Sequence, residues 1–329
     1  MTASCGPNDR ASAAAALNDL VDGAAADFPD AGGVWQALRT PGKLLGPDGG
    51  FIWGLLPLAI CSGVEAPAGA ACTLAAATDC LVAALDIIDD VQDGDAADAL
   101  WRAWGVPTAT NIATLLLFLS QQALCRLGDA QIDASTVRAV VEMFACHGAR
   151  ACAGQQRDLD AVGRRATGEE DYLAMIGMKA GALVSCICRA AATLGSRDPA
   201  QIDTFAEAGF NLGMTLQIVN DVSGITQTAG KRNDLHVWKW TLPLIFAFDA
   251  AAPAIRCELE EVLGSYGDGP LPDFQVGRVR QLLERCGALH YAHVVADIYW
   301  DRMRSALDQV PREKAQAMID LVTSLRPEA

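Results

Sequence analysis

Asp86, Asp89, Asp90 and Asp93 close an apolar stretch that runs over 78–88. On a helix they share one face, being three, four and seven positions apart. Like charges set this way repel, and Gly94-Asp95 marks a helix exit, where the macrodipole also disfavours negative charge. A pair of hard divalent cations would compensate, because Mg²⁺ takes one or two carboxylates together with phosphate oxygens and water. The bland alternative is a solvated acidic helix end, common in a chain this acidic. On the cluster alone both readings stand.

The elements that must carry this cluster are helices. Proline is missing between Pro107 and Pro199 and again between Pro199 and Pro243, and the intervening sequence is rich in strong helix formers with no alternating strand pattern. Helices are predicted over 51–64, 68–94, 107–127, 132–163, 169–195, 199–224 and 240–250. A loop over 264–272 then precedes two or three more. Residues 1–12 read as a polar, disordered lead-in and 13–329 as a single all-α domain, with no repeat or long hydrophilic linker.

The chain has 329 residues, 51% of them hydrophobic, enough to bury a large core. Its net charge of −15 argues against nucleic acid or an anionic membrane as partner. Eleven scattered cysteines without CxxC pairs, and no signal peptide after Met1, point to free, mostly buried thiols in a reducing cytoplasm. The longest apolar runs, over 51–61 and 112–119, are too short to span a bilayer, so no integral membrane protein is expected. Cys146-His147 and Cys186-Ile187-Cys188 lack metal-finger spacing and read as core.

Beyond the acidic cluster, motifs follow in order along most of the chain. Asp89-Asp90-Val91-Gln92-Asp93 has the form DDxxD; Gly154-Gln155 with Asp158-Leu159 has the form GQxxDL; Tyr172 to Leu183, with Lys179, is similar to YLxMIxxKTxxL. The stretch from Gly213 to Asn220, then Gly230-Lys231, Asn233-Asp234, Lys239-Trp240-Thr241-Leu242-Pro243 and Cys286-Gly287-Ala288, complete the series. In these the chain resembles the trans-isoprenyl diphosphate synthase (polyprenyl synthetase) family. The resemblance implies an isoprenoid synthase bundle of helices around a deep apolar cavity, with two acidic motifs across its mouth. It implies three Mg²⁺ ions on Asp89, Asp90, Asp93, Asn220 and Asp221, gripping an allylic prenyl diphosphate as its C–O bond breaks. Lys43, Lys179, Lys231 and Lys239 would then bind diphosphate oxygens, and Gln217 would act near the reacting end. A homodimer is implied by the same likeness.

Three departures from the family pattern shift the expected reaction. Gly46 stands where an arginine is usual after Lys43; the Arg-Arg pair after DDxxD is missing between Asp93 and Trp101; and the second motif reads Asn220-Asp221-Val222-Ser223-Gly224. The first two remove groups that hold isopentenyl diphosphate. With Leu100-Trp101 following closely, the chain is similar to family members that prenylate a tryptophan of a quorum-sensing peptide. The expected function is therefore ionisation of a C10–C20 allylic diphosphate for cyclisation, or transfer to an acceptor other than isopentenyl diphosphate. Two alternatives remain: a chain-elongating synthase using Arg102, Arg39 or Lys43, and a non-catalytic partner subunit. Trp101, Trp104, Trp238 and Trp240 are read as packing residues with cation–π stabilisation as the alternative.

Overall fold

A computed structural model describes residues 7–25, 31–38, 53–94, 100–162, 168–226, 234–266 and 270–324. Among these there is no β-strand. In chain order the helices are α1 (Pro7–Ala25), α2 (Ala31–Leu38), α3 (Leu55–Gly63), α4 (Ala68–Asp93) and α5 (Leu100–Trp104). Then come α6 (Val106–Cys125), α7 (Ala134–Ala161), α8 (Glu169–Ile176), α9 (Ala182–Gly195) and α10 (Pro199–Thr226). The last are α11 (Leu242–Ala250), α12 (Pro253–Tyr266), α13 (Asp273–Arg285), α14 (Ala288–Leu307) and α15 (Arg312–Ser324). The proline-free gaps are filled by long helices as expected. The helices α1, which begins inside the stretch read as a lead-in, α2, α5 and α12 lie outside the predicted set, although α12 carries Ile255, Leu259, Val262 and Leu263 at helical spacing.

The chain divides into two compact units: 1–148, 185–209 and 304–326 form one, and 149–184, 210–303 and 327–329 the other. In the first, α4 is the central rod, packed against α1, α3 and α6. Ala70, Ala75, Ala77 and Ala84 on it are fully buried. Small side chains let α6 come close enough for Ser120 Oγ to donate to the Ala77 carbonyl at 2.8 Å. Gly63, at the end of α3, sits so near α15 that an added Cβ would lie 1.9 Å from the Lys314 carbonyl oxygen. In the second unit, Tyr172, Ile176, Met214, Ile218, Leu235, Trp240 and Leu242 join α8, α10, α11, α13 and α14 in one apolar core.

Two helical stretches, Ala68–Asp93 and Glu169–Gly195, are long and apolar enough to cross a membrane, which the reading from unbroken apolar runs did not register. Most of their apolar windows, 78% and 56%, are buried within the protein, as core helices are. The cysteines also depart from expectation. Cys61, Cys72, Cys80, Cys186 and Cys188 are buried, but Cys125, Cys146, Cys152 and Cys257 are exposed. Cys146 and Cys152 fall on the outer face of an amphipathic helix, so Cys146 is no core residue.

Asp79 is the unusual member of the α4 core. It is 4% exposed, and its Oδ1 accepts the Gly54 amide hydrogen at 2.7 Å. Burial pushes its carboxyl up to about 7, against the downward pull of that hydrogen bond. The folded-state value therefore lies above the unfolded one. Its contribution to stability is full at acid pH, below the ordinary carboxylate range near about 4, and is lost as pH rises through about 7. Urea unfolding of Asp79→Asn should show a flatter pH profile between those limits, with the variant gaining on the wild type at alkaline pH. Gly63→Ala should lose about 1–3 kcal/mol in the same measurement, because helix backbone must move.

Candidate active site

The DDxxD aspartates occupy the last turn of α4 in the first unit, where Gly94 ends the helix in the left-handed region (φ 66°) and returns its N–H to the Asp90 carbonyl. Asp86, Asp89, Asp90 and Asp93 are all half-buried. Among the described residues no three His, Cys, Asp or Glu side chains form a ready metal cage. The donor set nevertheless fits Mg²⁺, which binds through one or two carboxylates and completes its shell with substrate phosphates and water.

The second unit holds a compact polar network. Asp158, on α7, is 6% exposed and meets two lysines. Lys179 Nζ donates to its Oδ2 at 2.8 Å, and Lys239 Nζ lies 3.1 Å from the same oxygen. The lysine side chains are only 14% and 12% exposed. Burial works against ionisation of Asp158, but Lys239 and then Lys179 outweigh it and hold the carboxyl below its ordinary value. Removing one partner of so buried a pair costs about 3–5 kcal/mol, since it strands a charge.

Next to this triad, Asp221 on α10 is 3% exposed. It accepts the Tyr172 hydroxyl at 2.6 Å and the Gln217 amide at 2.8 Å. Burial raises its pKa; Lys239 pulls it back, while the Asp158 charge adds to the rise. Tyr172 is pushed well above its ordinary value by burial and by Asp221, Asp158 and Asp234. Asn220, one position earlier, is exposed. The second motif thus turns its one carboxylate inward and its amide outward. A Cβ at Gly224 would fall 2.3 Å from Asp234 Oδ2, so the carboxylate missing from position 224 is replaced in space by one from outside the motif.

Lys179 is set by an interruption in the helix. Gly177–Gly181 forms a π-helical turn between α8 and α9, a feature frequent at functional sites. Glycines admit it: a Cβ on Gly154 of α7 would sit 2.4 Å from the Lys179 amide nitrogen, and one on Gly213 of α10 would sit 2.7 Å from the Ala180 carbonyl oxygen. Lys239 is aimed by a different device. After the short 3₁₀ turn Asp234–Val237, Trp238 adopts φ 52°, a left-handed conformation that costs a bulky residue about 1–2 kcal/mol. The turn is closed by Lys239 N–H donating to the Asp234 carbonyl at 3.1 Å.

Of the residues expected from sequence, the structure gathers Lys179, Lys239, Gln217 and Asp221 around Asp158 and Tyr172, which had been noted only as motif letters. Asp89, Asp90 and Asp93 stand together on α4. Lys43, Lys231, Arg39 and Gly46 lie outside the described residues. Arg102 is exposed and stacks over the Trp101 ring at 4.7 Å. Trp238 and Trp240 are buried in the core, Trp240 against Phe248 at 5.0 Å. Among the described residues, neither indole N–H nor the Thr241 hydroxyl has a hydrogen-bond partner. A cleft of about 660 Å³ near Arg304, Arg312 and Ile319 in the first unit is lined by none of the expected site residues.

Gly154→Ala should displace Lys179 and cost at least about tenfold in turnover, since a shift of about 1 Å at a catalytic group is that expensive. Gly224→Asp, although it restores the usual acid, should lower activity, because the new side chain meets the Asp234 carboxylate; steady-state kinetics of both variants test this.

Known proteins are similar to this chain over most of its length. Residues 42–270 match the family model described as Polyprenyl synthetase. The chain is 30% identical over 297 residues to a short chain isoprenyl diphosphate synthase of Methanothermobacter thermautotrophicus, covering 86% of this chain and 88% of that one. It is 24% identical over 242 residues to the tryptophan prenyltransferase ComQ of Bacillus spizizenii, covering 72% and 80%. A polyprenyl synthase structure from Caulobacter crescentus superposes with a TM-score of 0.82 at 21% identity over 95% and 93% of the two chains, which establishes the all-α isoprenoid synthase fold. With the ordered motifs and the family match across most of its length, the chain belongs to the polyprenyl synthetase family.

Proposed function

We propose that this chain is an Mg²⁺-dependent enzyme that ionises a C10–C20 allylic prenyl diphosphate and passes the cation to an acceptor other than isopentenyl diphosphate. The observation that carries the reading is the convergence of Lys179 and Lys239 on Asp158, two ammonium groups, 14% and 12% exposed, held at one carboxylate oxygen. Such a pair suits a polyanionic leaving group. Bound Mg²⁺, held by Asp89, Asp90 and Asp93, would supply neutralisation of the charge that develops on the diphosphate. Lys179 and Lys239 hold its oxygens, Gln217 and Tyr172 fix the inward-turned Asp221, and the apolar core of the unit excludes water that would quench a cation. Location in a reducing cytoplasm and a homodimeric state belong to the same reading.

The choice of acceptor rests on the sequence departures: Gly46 for arginine, no Arg-Arg pair after Asp93, and Asn220 opening the second motif. ComQ, named as a tryptophan prenyltransferase, is a relative for which transfer to something other than isopentenyl diphosphate is in the name. The second reading, chain elongation, is favoured by the relatives named as short chain isoprenyl and geranylgeranyl diphosphate synthases. The buried lysine pair argues against a non-catalytic partner subunit, which would bear its cost without use.

The deciding experiment incubates purified protein and Mg²⁺ with geranyl, farnesyl or geranylgeranyl diphosphate, with and without isopentenyl diphosphate, reading pyrophosphate release and products by mass spectrometry. Pyrophosphate with a hydrocarbon or alcohol is expected without isopentenyl diphosphate, and Asp89→Ala and Asp90→Ala should lose about a hundredfold or more of it. Longer diphosphates formed only with isopentenyl diphosphate would replace this reading by chain elongation.

A further inference from the structure

Lys179 and Lys239 come from elements sixty residues apart, the π-turn Gly177–Gly181 and the segment before Leu242, yet end on the same carboxylate oxygen. Their nitrogens can be no farther apart than the two distances to that oxygen, 2.8 and 3.1 Å, laid end to end. Two ammonium groups that close repel, and each rides on a stem with four rotatable bonds. Something must hold them. Asp158 Oδ2 meets both nitrogens at hydrogen-bond distance. Each ammonium carries three donors, so the bond to Asp158 does not by itself exhaust its capacity.

We propose that Asp158 is the positioning residue of the diphosphate site, its Oδ2 gathering Lys179 and Lys239 into a pair spaced to bridge the oxygens of one diphosphate. The proposal rests on the reading that this chain binds an allylic diphosphate. It assigns Asp158 no contact with the substrate; it acts through the two lysines. Without the carboxylate the lysines separate, and diphosphate affinity falls while the apolar core is unchanged.

The test is calorimetric titration of the full chain with inorganic pyrophosphate and Mg²⁺, beside kinetics with the allylic diphosphate and thermal melting. Asp158→Asn, which keeps shape and one acceptor, should bind pyrophosphate about tenfold or more weakly and raise KM by a like factor, as truncating one member of a buried charge pair does. Asp158→Glu should recover most of the affinity. Lys179→Gln combined with Asp158→Asn should be little worse than Lys179→Gln alone, because residues acting as a unit are not additive. Wild-type affinity in a folded Asp158→Asn would overturn the proposal, as would full additivity in the double variant. Should Asp158→Asn fail to fold, the glutamate variant decides: a loss as deep as that of Lys179→Gln overturns the proposal, and retained affinity supports it. A wild-type chain that binds no pyrophosphate would instead overturn the diphosphate reading, and this proposal with it.

Discussion

A lysine with less than a seventh of its side chain in water stays charged only beside an anion, and here two such lysines share one aspartate oxygen. The rest of the second unit is arranged around that constraint. Asp158 is buried, burial works against its charge, and the compensation comes from Lys239 and Lys179. Tyr172 and Gln217 complete the arrangement by satisfying Asp221, whose own burial would otherwise leave a second acid without donors.

Bringing those groups together requires backbones closer than side chains normally permit. Gly154 and Gly213 let α7 and α10 reach the π-turn that carries Lys179, and Phe210 fills the notch beside Gly177 and Gly181. The turn widens the helix by one residue and redirects Lys179 out of an otherwise apolar face. On the other side of the network, the left-handed Trp238 stores conformational strain next to Lys239. Both devices are costs borne by the fold beside the lysine pair.

The second acidic motif shows how far a pattern can change while its surroundings adapt. Asn220 faces solvent, Asp221 faces the core, and the glycine at 224 admits the carboxylate of Asp234. The same unit therefore keeps its acids near Tyr172 with a different set of chain positions. In the first unit, by contrast, the aspartates of α4 keep the plain helical spacing of the motif.

What the sequence determined by itself was periodicity and order. The proline-free, Ala- and Leu-rich gaps dictated α4, α6, α7, α10 and the 169–195 helix, because helix propensity and 3.6-residue spacing are local properties. Asp89, Asp90 and Asp93 were legible as one face of one helix for the same reason. The order of the motifs identified Lys179, Lys239, Gln217 and Asp221 as candidates but could not say what each touches. Only the tertiary structure decided that Asp158 joins the two lysines, that Tyr172 is the partner of Asp221, and that Asp234 stands beside Gly224. Those contacts span from ten to more than eighty positions of chain, and hydrogen bonds and ion pairs form between neighbours in space, which one-dimensional spacing does not encode.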